Sequence, residues 1–409
     1  MLKRVGALGR AYPRVALVFA LGLALRVVLL PGAVGPDFHI WDLTAAATLH
    51  GQDVYAHPPL DPKRYGPYAY FPLYLYLLLP LKWLALHAGL SYVALGKLPV
   101  VAGDVGVALG LVSALRRAGR DERARAAGMA LYFLNPLVLY NGAFYGRFDS
   151  LPLALLLFAW NRLSPRTGGR SGRLALPFSL AVALKTFPIF LLPYLIARLG
   201  RRRGGHLALA AVLTPLVISL PYLLHDARRF LYIVFVYDST KGPRQFSWQV
   251  ILLNLGMSER AATVVSYGLL ALFALAIILP LTPTLSLRGR GRTPLLLSPS
   301  ARERGDRGVR ALPDPYVYAA VVFTLFLLLS KVVYEQYLLW PLPFLAVLAA
   351  RDRARDALGL LVTLSIIGLL ANKWIHPFGY NPYPAPWLNG SLAAATALFV
   401  ARRVARGEM

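Results

Sequence analysis

The 409-residue chain contains no cysteine. It therefore has no disulfide framework, no thiolate nucleophile and no cysteine-based metal site. Charge is scarce too. Asp, Glu, Lys and Arg make up 15% of the residues against 57% hydrophobic, with a mean hydropathy of +0.55. Soluble domains carry about 25% charged residues, so an ordinary soluble globule is excluded. Acidic residues are the rarest class, 18 against 44 Lys and Arg. The resulting net charge of +26 would suit nucleic acid, but the basic residues fall in short clusters between apolar runs, as in cytoplasmic loops of membrane proteins, and no nucleic-acid role is expected. Alternation of apolar and polar residues over segments of about ten is also missing, which excludes a β-barrel.

What is present is a series of apolar runs at residues 15–30, 98–115, 207–224, 261–281 and 316–329. These approach the roughly 20 residues that cross a bilayer as a helix. The expected fold class is all-α: a polytopic integral membrane protein of one domain over residues 1–409, with about twelve crossings, some short or re-entrant. Residues 1–14 are basic and lead into an apolar run without a small-residue cleavage site, which reads as a retained signal anchor.

Charge sets the expected orientation. With Lys3, Arg4, Arg10 and Arg14 in the cytoplasm, residues 35–97 form a first outer loop. The deciding segment is 68–86, which is apolar but carries Pro72 and Pro80 and many tyrosines. If it lies in the outer interface instead of crossing, the clusters at 116–125, 162–173, 198–203, 288–310, 351–355 and 402–406 all fall inside, along with both termini. That reading also requires 174–184 and 187–198 to form a short in-and-out pair or a re-entrant hairpin with its apex near Lys185. Residues 282–310, rich in Pro, Ser, Leu and Arg without helical periodicity, read as a low-complexity cytoplasmic insertion.

The outer face then gathers acid, base and aromatic residues. Residues 35–65 alone hold Asp37, Asp42, Asp53 and Asp61, and Asp37 sits at the mouth of the first helix, where a carboxylate near lipid requires a partner or a task. Arg26 and Asp104 lie inside apolar runs and are expected to serve packing between the first helices. His39, His57, His225 and His376 show no metal-ligand spacing.

Several motifs occur in a telling order. They are Asp37-Phe38-His39-Ile40-Trp41-Asp42, Tyr68-Ala69-Tyr70-Phe71-Pro72, Asn135-Pro136, Gly146-Arg147-Phe148-Asp149-Ser150, Lys185-Thr186-Phe187-Pro188, and Lys331-Val332-Val333-Tyr334-Glu335-Gln336-Tyr337 with Trp340 and Pro341. Together they resemble the GT-C glycosyltransferases that use polyprenyl-phosphate sugars. They are similar to segments of the bacterial polyprenol-phosphate-mannose-dependent mannosyltransferases and of the catalytic subunit of the eukaryotic first glycosylphosphatidylinositol mannosyltransferase.

The resemblance implies an inverting transfer of a hexose, in these families mannose, from a polyprenyl-phosphate donor to an acceptor at the outer face of the plasma membrane. The acceptor class (lipid, protein or glycan) stays open, and membrane lipids surround the chain. Asp37 becomes the catalytic base. Such a reaction needs one carboxylate to take the acceptor proton while the lipid phosphate leaves as an anion; the alternative for Asp37 is a helix cap. Asp42 either binds acceptor hydroxyls or caps a helix. Lys185, Arg228, Arg229 and Lys331 are the phosphate-binding candidates, against simple interfacial snorkelling. Tyr68, Arg147, Asp149 and Glu335 complete the substrate-binding candidates, with Asp149 open to an ion-pair or capping role. The loop lacks an Asp-x-Asp pair, so a divalent cation held by Asp37 and a second carboxylate is left open and no metal ligand is assigned. A transporter or flippase of lipid-linked sugars is the rival reading, but no internal repeat supports it. A structural assembly factor is the third.

Overall fold

The structure, a computed structural model, describes residues 12–58, 66–163, 172–237, 244–245, 248–278, 312–330, 332–370 and 386–408. Among these the architecture is helical, with one two-residue parallel pairing of Arg244–Gln245 with Val332–Val333. Lys331, Asp61 and His376 lie outside the described residues, as do the whole of the expected insertion 282–310 and residues 1–11.

Proline starts many of the described helices. It occupies one of the first two positions of Pro13–Leu29, Pro36–Leu49, Leu98–Arg117, Pro136–Leu139, Leu192–Leu199, Leu220–Leu231, Pro315–Leu329 and Leu342–Asp352. At those positions the missing N–H costs nothing and the fixed φ suits the helix. One consequence is functional: Pro36 opens its helix immediately before Asp37, so the carboxylate lies in the first turn, where the helix dipole favours negative charge.

Among the described residues one continuous apolar helix, Tyr92–Arg117, is long enough to cross a membrane. The apolar run at 207–224, expected as one straight span, is instead broken. Arg201–Ile218 and Leu220–Val236 meet at 93°. The break is chemical: Pro221 cannot donate to the preceding turn and disfavours helical geometry just before it. At the break the Ser219 N–H and Oγ both donate to the Pro215 carbonyl, at 3.1 and 2.7 Å. Leu174–Leu184 and Phe187–Leu199 are separate helical pieces that part at Lys185-Thr186.

Two contacts fix the part of the bundle that carries the site. Leu98–Arg117 crosses Ser150–Trp160 so closely that a Cβ on Gly103 would stand 2.6 Å from the Leu151 nitrogen. At that crossing Ser150 Oγ donates to the Val100 carbonyl at 3.0 Å. Arg26 and Asp104, both buried, pair at 2.7 Å between Pro13–Leu29 and Leu98–Arg117, and Arg26 also donates to the Gly22 and Phe133 carbonyls. This is the packing role expected of the two charges within apolar runs.

Above these helices lies a separate aromatic core. Trp41 on Pro36–Leu49 meets Tyr74 on Leu73–Ala88 at 5.2 Å and Phe148 at 5.1 Å, while Tyr74 and Phe148 stack at 3.9 Å. Such rings contribute about 0.5–1.5 kcal/mol per pair beyond their burial. They clamp the Asp37 helix to the segment that carries Arg147 and Asp149.

Candidate active site

Asp37 is not a cap. Gly35 holds the cap position of Pro36–Leu49, and its N–H donates to the Tyr145 carbonyl at 2.9 Å. From the first turn the Asp37 carboxylate, one-third exposed, brings Oδ2 to 3.5 Å from Arg147 Nε. Neither carboxylate oxygen accepts a hydrogen bond from the described residues; Oδ2 faces the guanidinium across 3.5 Å, and Oδ1 is the oxygen left for a substrate proton.

Arg147 is the centre of the cluster. Tyr140–Phe144 winds as a π-helix, and Gly146 then takes φ +83°, a left-handed conformation in which a Cβ would also strike Phe38. That turn sends the buried Arg147 side chain between two segments. Its Nη1 donates to Glu335 Oε1 at 2.6 Å, to Gln336 Oε1 and to Asn141 Oδ1 at 3.3 Å. Burial works against the guanidinium charge, but Glu335 and then Asp37 outweigh it, so Arg147 holds its proton more tightly than a free arginine.

Two residues on, a second ion pair lies beside the first. Asp149 stands at the N-cap of Ser150–Trp160, yet its side chain does not bond that helix. Its Oδ1 accepts instead from Lys185 Nζ at 2.7 Å and from Trp340 Nε1 at 2.8 Å. The Lys185 ammonium also stands 5.3–5.9 Å from the ring centres of Tyr337, Phe148, Tyr70 and Trp340. Cation–π attraction of about 0.5–2 kcal/mol per favourable ring helps hold the buried charge. Lys185 opens onto a cavity of about 330 Å³ whose walls include Tyr70, Phe187, Phe326, Tyr337 and Trp340. The site therefore combines a carboxylate with one open oxygen, two cations buried in ion pairs, and an aromatic chamber that one of those cations faces.

A sequence model of glycosyltransferase family 87 matches residues 68–299, more than half of the chain. The chain belongs to glycosyltransferase family 87. The family is of the GT-C type, so the reaction class is glycosyl transfer. A search of the curated proteins finds no match. The matched segment of this family 87 glycosyltransferase contains Arg147, Asp149 and Lys185, while Asp37 and Glu335 lie on either side of it.

The remaining candidates of this family 87 chain take other places. Asp42, mid-helix and not a cap, pairs with Lys82 at 2.5 Å, and that ammonium lies 4.7 Å above the Tyr92 ring. Tyr68 is 1% exposed; its hydroxyl accepts from the Leu75 N–H at 3.1 Å and donates to the Phe71 carbonyl, and burial pushes the phenol well above its usual range. It supports the aromatic core and presents no open polar group. Arg228 and Arg229 are exposed beyond the 93° bend and line a different cavity, of about 580 Å³, with Asp226 and Tyr237. Neither touches the Asp37 or Lys185 clusters. Asp53 binds His225 at 2.6 Å and the Tyr55 and Ala56 amides.

For a divalent ion, the fit is poor. Asp37 and Glu335, the two carboxylates at the centre, already share the permanent cation of Arg147, and among the described residues no cluster of three or more His, Asp or Glu is gathered. Asn141, Gln336 and Trp340 had no assigned role from the sequence. Gln336 and Trp340 do lie within the last of the motifs quoted above, so the signal was present there, whereas Asn141 carried none.

Proposed function

We propose that this glycosyltransferase transfers a hexose, mannose in the nearest reading, with inversion from a polyprenyl phosphate to an acceptor hydroxyl at the outer face of the plasma membrane. About twelve crossings, some broken as at Ser219, would place residues 1–14 and 402–406 in the cytoplasm. The observation that carries this reading is Lys185: a cation that opens into an aromatic chamber and pairs with Asp149, two residues along the chain from the arginine that faces Asp37. A water-soluble donor has no use for such a wall, whereas an isoprenoid chain gains about 25 cal/mol for each Å² of apolar surface it buries there.

Asp37 Oδ1 takes the acceptor proton as the acceptor oxygen bonds the anomeric carbon from the face opposite the phosphate. The bond from that carbon to the phosphate oxygen breaks, and both electrons leave with the phosphate. Lys185 and Arg147 lie where they stabilise this anion, which needs no proton from a second acid. Arg147 meanwhile stands 3.5 Å from Asp37 Oδ2 and aims the carboxylate.

Offering radiolabelled mannose on a synthetic polyprenyl phosphate, beside a nucleotide-linked mannose, to the protein in proteoliposomes tests the reading. Label should pass from the lipid donor to a new product with release of polyprenyl phosphate, and the nucleotide sugar should remain intact. Transfer from the nucleotide sugar alone would contradict the lipid-donor reading. Movement of intact lipid donor between leaflets without bond cleavage would point to the flippase.

A further inference from the structure

Lys97 is one of the most deeply buried cations of the described chain, 0% exposed, and no carboxylate among the described residues lies within ion-pair distance of it. It stands between Tyr92–Gly96 and Leu98–Arg117. A buried ammonium without a counter-charge is expensive unless every donor is used. Here the donors go to backbone carbonyls. Lys97 Nζ donates to Leu30 at 3.0 Å, Gly32 at 3.4 Å, Ala33 at 3.0 Å and Phe144 at 2.7 Å.

These four oxygens belong to two segments. Leu30, Gly32 and Ala33 form the link from the end of Pro13–Leu29 to the helix that begins at Pro36, so Ala33 is four residues before Asp37. Phe144 ends the π-helix, three residues before Arg147. The oxygens of Leu30 and Phe144 lie at helix ends, where carbonyls lack intrahelical partners and the dipole favours a cation. Nearby, the Gly35 N–H donates to the Tyr145 carbonyl and ties the same two segments once more. A Cβ on Gly35 would stand 2.5 Å from the Tyr145 ring, so the approach is close.

We infer that Lys97 is a positioning residue for glycosyl transfer: its ammonium clamps the strand leading to Asp37 against the strand leading to Arg147 and so fixes the Asp37–Arg147 pair. Lys97 itself touches neither side chain of the pair. A role in aligning the two segments requires three donors radiating from one point, which a flexible lysine supplies and a hydrophobic residue of equal length does not. The inference rests on the proposed role of Asp37 as base.

The test is Lys97→Met in the full chain, compared with wild type by two measurements on the folded protein in detergent. Hydrogen exchange reads the clamp without reference to activity, and steady-state transfer reads its consequence. Faster exchange confined to residues 30–38 and 142–148, with kcat lowered roughly tenfold to a hundredfold and donor KM within about twofold, is the expected result. Unchanged exchange, whatever the activity, overturns the clamp, and so does exchange that rises across the whole molecule. Local loosening with full kcat would overturn the positioning role, because the clamp would then hold the two segments without serving transfer. Asp37→Asn beside it separates the cases, since that variant loses transfer without local loosening around Phe144.

Discussion

At the scale of single residues, Arg147 shows why type matters more than charge. Its Nη1 donates to Glu335, Gln336 and Asn141 while a second nitrogen, Nε, faces Asp37 at 3.5 Å, two points of contact that a single ammonium does not supply. Arg147→Lys keeps the charge but not the fork, and transfer should fall by about 10²-fold, read as kcat/KM, with the protein still folded. Arg147→Met removes the cation that Glu335 and Asp37 share and should also cost about 3–5 kcal/mol of stability, seen as a lower unfolding midpoint in detergent. Sequence alone marked Asp37, Arg147, Asp149, Lys185 and Glu335 through their motifs, but not which pairs with which. The partners lie up to 188 residues apart, as in Arg147 and Glu335, and no local pattern encodes that distance. Lys97 was invisible for a different reason. Its partners are backbone carbonyls, which carry no residue identity, so nothing in the sequence separates it from a lysine snorkelling at a helix end.

Among the elements, helices were legible where composition and punctuation agreed. The run expected at residues 98–115 is the helix Leu98–Arg117, and that at 316–329 is Pro315–Leu329. They failed where hydropathy was read without its prolines. Pro215 and Pro221 flank the break at Ser219, and the apolar average across them hid a 93° bend. The bend separates Arg228 and Arg229 from the site, so neither should matter to transfer. The crossing of Leu98–Arg117 with Ser150–Trp160 sets the position of Arg147 and Asp149, and it depends on the absence of a side chain at Gly103. The obstacle is Leu151 backbone, which cannot swing aside. Gly103→Leu should therefore overpack the crossing by at least about 1–3 kcal/mol, lowering the thermal midpoint in detergent, whereas substitution of the unobstructed Gly268 by Ala should leave it unchanged or raise it.

For the whole molecule, the proposed orientation places the aromatic core and the Asp37 site on one side and the arginine-rich turns on the other. The absence of native cysteine makes this simple to test, because any single introduced thiol is unique. Gln52→Cys should react with a membrane-impermeant maleimide on intact cells, and Arg123→Cys only after permeabilisation; labelling of both from the same side would refute the topology. Within that frame the central claim is chemical: Asp37, turned toward Arg147 at the head of its helix, removes the acceptor proton. The most direct measurement is the transfer rate per folded molecule of wild type and Asp37→Asn, with sugar supplied on polyprenyl phosphate at saturating concentration. The account predicts a fall in kcat of at least about 10²-fold with donor binding retained. Undiminished transfer by a correctly folded Asp37→Asn would contradict it.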